Sequence, residues 1–236
     1  PWTLFVSTHH IDTGEFTPPT LTRVFFLEAP AGRYDLPHLT PFELDDRESL
    51  SVECWKQLKN MDAAHAGETL AAMRKVLDAT GIDLKKRYAS ETFLTWDQVR
   101  ALHRQGVEIG AHADWHWAMH EHQPPEWLRD QAGRSKARVE AEIGPCRFFA
   151  YPFGQREDVG RGAWQAVREA GFDCAFTTMA GTLEASANRW LLPRYGLAPE
   201  ESNLAAFLPV LRANNAKLRN WQSQIGTGVP ERDRVV

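Results

Sequence analysis

The strongest constraint on the fold is a unit that recurs along the chain: an amphipathic helix, a glycine, then a short apolar strand. Thr95 to Gln105 shows it most clearly. Thr95 is placed to cap the helix, and Gln98 stands at the N3 position of a capping box. Trp96, Val99 and Leu102 fall on one apolar face. Gly106 occupies the place of a left-handed C-terminal cap, and VEIGAH follows as a strand. The unit returns as a helix over 126–143, a stop at Gly144-Pro145 and a strand over 147–151. It returns again as a helix over 162–170, Gly171 and a strand over 172–177. Short strands alternating with helices across tight glycine turns predict parallel β-structure in an α/β fold. An open sheet and a barrel of this kind both carry function at the carboxyl ends of the strands. That directs attention to the residues after Ser7, Ala111, Tyr151, Thr177 and Leu192.

Residues 14–50 interrupt the pattern. TPPT, APAG, LPHLTP and ELDD are turn-rich, with Leu21 to Leu27 expected as a short strand between them. The segment reads as an insertion over or beside the site. Helices are expected over 51–60 and 63–79, with Gly81 closing the second. Beyond Thr178 come a loop, a short strand from Trp190 to Arg194 and a last helix from Asn203 to Asn214. The expected domain covers 1–219, followed by a loose tail from Asn220.

Composition excludes several classes. The 236 residues, 43% hydrophobic and 25% charged, describe an ordinary globular chain able to bury a sizeable core. A net charge of -4 gives no reason to expect a nucleic-acid partner or an anionic membrane surface. No apolar run approaches the roughly 18 residues of a membrane span. Cys54, Cys146 and Cys174 are too few and too scattered for a disulfide framework or a thiolate zinc site, which favours a reducing compartment. PWTLFVSTHH enters at once on a strand, so further residues are expected before Pro1, and the lack of a signal peptide says nothing.

The strand ends carry the chemistry. His112 and His116 stand four apart in IGAHADWH, just past a strand. In a turn or first helical turn such side chains converge on one metal, and neutral imidazole suits zinc and similar ions. Spacing alone is weak evidence, since His116 and His120 form a second such pair. Asp114 lies between the two as a supporting group or a helix cap. In FFAYPFG, Pro152 and Gly154 constrain a turn that can aim a main-chain N–H into a site. STHHID offers His9, His10 and Asp12, and LLPRYG offers Arg194. Nine Trp is many for this length. Carbohydrate sites use such rings, and Trp115 between the two histidines is the candidate, although core packing is the commoner role.

The string FLTWDQVRALHRQGVEIGAHADWH resembles the central part of the NodB-type polysaccharide deacetylases, carbohydrate esterase family 4, which carry H-[ST]-x-x-H directly after such a strand. FFAYPFG resembles that family's third motif, AVREAGFDCAFTT the helix and strand that follow, and LLPR the late segment of its polysaccharide-biosynthesis branch. PWTLFVSTHHIDTG looks like its second strand, so the resemblance runs from about residue 1 to about residue 200. It implies a distorted (β/α) barrel of about seven parallel strands, the first of them missing. It implies a divalent metal, zinc before cobalt, nickel or manganese, held by His112 and His116. The Phe153 N–H would hold the oxyanion, and Tyr151 and Pro152 would shape the substrate wall. The substrate implied is a carbohydrate bearing acetamido groups, in cytoplasmic assembly of a surface polysaccharide.

The chain departs from the family at several places. The first motif, T-F-D-D-G, supplies the family's general base and third metal ligand and is absent; it is expected upstream of Pro1. Asp45-Asp46 is the one Asp pair present, in a turn-rich loop. His112-Ala113 replaces H-[ST], and Ala150 stands where the third motif has Arg. Arg194 is the candidate to replace that cation and orient the missing Asp. The L-x-H segment of the general acid has no counterpart, which leaves His9 or His10 as candidates. Hydrolysis of an O-acetyl ester or formamide, or sugar binding without catalysis, are the alternatives. A glycosidase fits poorly, because no paired carboxylates stand out at the strand ends.

Overall fold

The computed structural model describes residues 2–183, 188–194 and 217–225. Strand β1 (Thr3–Val6) leads through Ser7 into the short helix α1 (Thr8–Thr13). A helical layer follows: α2 (Pro18–Glu28), a small hairpin of β2 (Arg33–Tyr34) and β3 (Phe42–Glu43), then α3 (Arg47–Lys59), α4 (Ala63–Ala79) and α5 (Leu84–Arg87). The repeating α/β units then run α6 (Trp96–Arg104), β4 (Glu108–Ala111), α7 (Pro125–Ile143), β5 (Phe148–Ala150), α8 (Arg161–Glu169) and β6 (Cys174–Phe176).

The main sheet is parallel, in the order β1-β4-β5-β6, and a single parallel bridge from Phe176 to Leu192 extends it. The α/β class and the parallel sheet agree with the sequence. Of the implied barrel strands, the described residues supply these four, and β1 lies at an edge. The expected strand from Trp190 to Arg194 is reduced to that one bridge, and the helix expected from Asn203 to Asn214 lies outside the described residues. No described helix is long and apolar enough to cross a membrane.

Local signals hold where they are strongest. The Thr95 side chain accepts from the Gln98 N–H, and the Gln98 side chain accepts from the Thr95 N–H at 2.8 Å, so the expected capping box is present. Gly106 follows in the left-handed region, with φ +89°.

Two expectations are corrected. Leu21 to Leu27 lies inside α2 and is not a strand. Pro18 and Pro19 start that helix, where a missing N–H and a fixed φ are tolerated, and Pro18, Thr22, Phe25 and Phe26 face inward at helical spacing. Nor is the chain loose immediately after Asn220. Residues 217–225 are helical, and Leu218, Trp221 and Ile225 are buried in the core.

The described residues form two hydrophobic cores. One lies under the sheet, around Ile109, Phe149, Trp164 and Trp221. The other lies within the helical layer, around Phe25, Leu58, Leu70, Met73 and Leu77, and takes in Trp117. Trp127 packs against both.

Gly110 in β4 has no room for a side chain. A Cβ there would meet the Phe5 ring at 2.5 Å and the Phe148 carbonyl at 2.9 Å. Gly110→Ala is expected to destabilise the protein by about 1–3 kcal/mol through overpacking. Urea unfolding reads this directly, and an unchanged midpoint would refute it.

Candidate metal and substrate site

The loop after β4 is pinned from three sides. The His112 N–H donates to the Val6 carbonyl at 2.8 Å, and the Ser7 hydroxyl donates to the His112 carbonyl at 2.8 Å. Thr8 donates to the Asp114 carboxylate at 2.5 Å, and the His9 N–H donates to the Asp114 carbonyl at 3.1 Å. From α7, the Gln131 side chain accepts the Trp115 N–H at 2.7 Å. These bonds hold Ala113 in the left-handed region, with φ +60°, which costs an L-residue roughly 1–2 kcal/mol. The two histidines therefore sit in a fixed turn. The next helix starts only at Pro125, so Asp114 is not a helix cap but the acceptor that ties the turn to α1.

The His112 and His116 rings lie 4.9 Å apart, inclined at 63°. The Nδ1 of His112 is 2.6 Å from the Ala150 carbonyl. A carbonyl only accepts, so Nδ1 carries the proton and Nε2 keeps a free lone pair. The Nδ1 of His116 is buried with no hydrogen-bond partner among the described residues. Burial pulls His112 down to about 4, against the bond to Ala150, and nearby Arg194 lowers it further. Burial, and then His112, pull His116 down to about 3. Two adjacent neutral imidazoles, one oriented by a carbonyl and one with an orphaned nitrogen, fit two corners of a tetrahedral ion. Among the described residues no group of three His, Cys, Asp or Glu converges, so the donor set is incomplete here.

The turn after β5 closes the other side. Phe153 and Gly154 both lie in the left-handed region, at φ +58° and +69°. Thr178 donates its hydroxyl to the Phe153 carbonyl at 2.5 Å and its N–H to the Gly154 carbonyl at 2.9 Å. A Cβ on Gly154 would sit 2.9 Å from that same N–H, so this position requires glycine. Among the described residues no backbone acceptor takes the Phe153 N–H. The Phe153 ring stands edge-on to His116 at 5.0 Å.

Several expected site residues are placed differently. Tyr151 has no exposed surface and donates its hydroxyl to the Trp190 carbonyl at 2.9 Å, and Pro152 is also buried. Both support the turn from below, so neither presents a wall to a substrate. Phe153 and Trp115 are half-buried. His10, 1% exposed, shares its Nδ1 with the Glu15 carbonyl at 3.0 Å, and its Nε2 accepts the His116 N–H at 3.5 Å. Burial lowers His10 to about 4. With both nitrogens engaged and the ring neutral, His10 positions the histidine turn and does not fit a proton donor. His9 bonds to Glu15 at 3.2 Å, and its ring stands edge-on to His10 and Trp115. Asp46 caps α3 by accepting the Ser49 N–H, which accounts for the Asp pair without catalysis.

Arg194 lies close enough to His112 for its charge to act on that ring. Its Nε donates to the Thr177 carbonyl at 2.8 Å, and its guanidinium lies over the Phe5 ring at 5.7 Å. No carboxylate pairs with it among the described residues, and burial lowers its pKa.

The sequence did not reveal the support from α3. Trp55 packs on Phe153 at 5.5 Å, and the Lys59 ammonium lies 5.3 Å above the same ring while bonding Asp158 at 2.7 Å. Trp55 and Lys59 share one face at i, i+4, but nothing in that spacing marks them as neighbours of the site.

The family model described as polysaccharide deacetylase matches residues 45–175, more than half of the chain. The chain belongs to the polysaccharide deacetylase family. No curated protein matches it in sequence. Among solved structures it is similar to the Streptococcus pyogenes deacetylase PplD in complex with acetate, at 18% identity and TM-score 0.45 over 54% of each chain. It is also similar to the BpsB deacetylase domain from Bordetella bronchiseptica, at 20% identity and TM-score 0.38, over 44% of this chain and 49% of that one. A third is a CE4 family pseudoenzyme from Bacillus anthracis, at 17% identity and TM-score 0.32, over 36% of this chain and 29% of that one. The chain thus spans about half the length, or less, of these structures.

Proposed function

We propose that this member of the family is a metal-dependent hydrolase that removes N-acetyl groups from a sugar or polysaccharide, in surface-polysaccharide assembly. The observation that carries the reading is the neutral His112–His116 pair, with the His116 Nδ1 left without a partner and the Phe153 turn beside it. His112 and His116 would hold a divalent ion, zinc first, with cobalt, nickel or manganese as substitutes. When bound, such an ion polarises the acetyl carbonyl and lowers the pKa of a bound water. The chain's own groups do the rest. The Phe153 N–H donates to the oxyanion as the carbonyl becomes tetrahedral. Trp115 and Phe153 cover the substrate and exclude water. Arg194, a half-buried cation with no carboxylate partner among the described residues, orients the acidic base that those residues do not supply.

Zinc titration by calorimetry tests the metal half. One equivalent is expected to bind, with at least 100-fold weaker binding in His112→Ala and in His116→Ala. Acetate and free amine released from an N-acetylated oligosaccharide test the chemistry, since an ester substrate yields acetate without amine and a formamide yields formate. Turnover that survives complete chelation would overturn the reading. Sugar binding without turnover is favoured by one fact: no third ligand joins the histidines among the described residues. Zinc-replete protein that binds sugar but releases no acetate would establish that alternative.

A further inference from the structure

A cavity of about 260 Å³ opens beside the histidine turn, between the helical layer and Trp115. Its walls are mostly apolar, with Trp115 and Phe16 supplying aromatic surface and Leu21 and Leu70 packing behind them. Glu15 and Arg74 supply its charged groups. One side is the face of α4 that carries Gly67, Leu70, Ala71 and Arg74, at i, i+3, i+4 and i+7.

Gly67 is the telling residue. It stands within a 17-residue helix, where glycine is disfavoured relative to alanine. Its φ is not in the left-handed region, and a Cβ added there would touch nothing within 4 Å. Neither backbone conformation nor close packing requires glycine. Gly67 lines the cavity, and a side chain there would enter open space.

We propose that the cavity is a subsite for one pyranose ring of the glycan, the ring next to the one that carries the reacting acetamido group. The proposal rests on the deacetylase reading above. Its size lies below the roughly 300–1,000 Å³ of sites for drug-sized ligands, so it takes one ring and not a chain of them. A pyranose has apolar C–H faces that suit Trp115 and Phe16, and hydroxyls that suit a carboxylate and a guanidinium. Trp115 is part of the turn that holds His112 and His116, so a ring against it is held in register with them.

Calorimetry on the zinc-bound full chain tests this with N-acetylglucosamine and its β-1,4- and β-1,6-linked dimers as probes. In the unaltered protein at least one dimer is expected to bind about 10-fold or more tightly than the monomer. Gly67→Phe fills the cavity and is expected to abolish that gain while leaving the affinities for monomer and zinc unchanged. Gly67→Ala, which adds one methyl, is expected to keep most of it. Both substitutions raise helix propensity, so a thermal melt no lower than that of the unaltered protein confirms that the fold is intact. A dimer gain that survives Gly67→Phe, or no gain in the unaltered protein, overturns the subsite. Failure to bind zinc, with a dimer gain that Gly67→Phe removes, overturns the metal reading and leaves the subsite standing.

Discussion

Lys59→Met is expected to destabilise the protein by about 3 kcal/mol at pH 7, because it strands a buried carboxylate. Asp158 is 1% exposed, and its Oδ1 lies 2.7 Å from the Lys59 ammonium. Its other oxygen accepts the Gln155 N–H at 3.0 Å. Burial already pushes the Asp158 carboxyl above its ordinary range, although Lys59 and the Gln155 bond pull it down. The folded protein therefore binds this proton more readily than the unfolded chain. Stability attributable to Asp158 is greatest in acid and declines as pH rises through the raised folded pKa. Without Lys59 that pKa rises further, so the deficit of Lys59→Met is expected to be larger at pH 7 than at pH 4. Urea unfolding at the two pH values measures it, and equal deficits would refute the account. Adding Asp158→Asn should restore part of the loss. The same variant frees one side of Phe153, so its consequences reach the turn after β5 as well as the fold.

Trp164→Ala is expected to cost about 3–5 kcal/mol. The ring is 1% exposed, stacks on Trp190 at a 6.4 Å centroid distance and 18° tilt, and donates its indole N–H to the Ile225 carbonyl at 2.7 Å. That bond ties α8 to the helical residues 217–225. Trp164→Phe keeps most of the apolar area but strands the buried carbonyl, so a smaller loss of about 1–3 kcal/mol is expected. Amide exchange over 217–225 separates the two roles. It should quicken in both variants, whereas protection of β4 and β5 should fall measurably only in Trp164→Ala. Unchanged exchange over 217–225 in Trp164→Phe would refute the tie.

The sequence carried the sheet because its signals there are local. Thr95, Gln98 and Gly106 fix both ends of α6 without help from the rest of the chain. The misreading of α2 has an equally local origin. Val24, Phe25 and Phe26 favour strands by propensity, and their burial in the second core outweighs it. Leu218, Trp221 and Ile225 do repeat at helical spacing, so the signal for that segment was present but short. The candidate site was legible as positions and not as environments. His112, His116, Phe153 and Arg194 stand where strand ends put them. That His10 is neutral and doubly bonded, that Tyr151 faces the core, and that Lys59 reaches Phe153 all depend on contacts from residues far along the chain.

The two cores meet at the histidine turn. The strand ends that bear His112 and Phe153 belong to the sheet, whereas α2 and α4, which wall the cavity, rest on the second core. Trp115 and Trp117, on either side of His116, pack on that second core, so substitutions on the inner faces of those helices reach the histidine turn as well as the cavity. What the cavity accepts is therefore coupled, through Trp115 and Trp117, to the turn that carries His112 and His116.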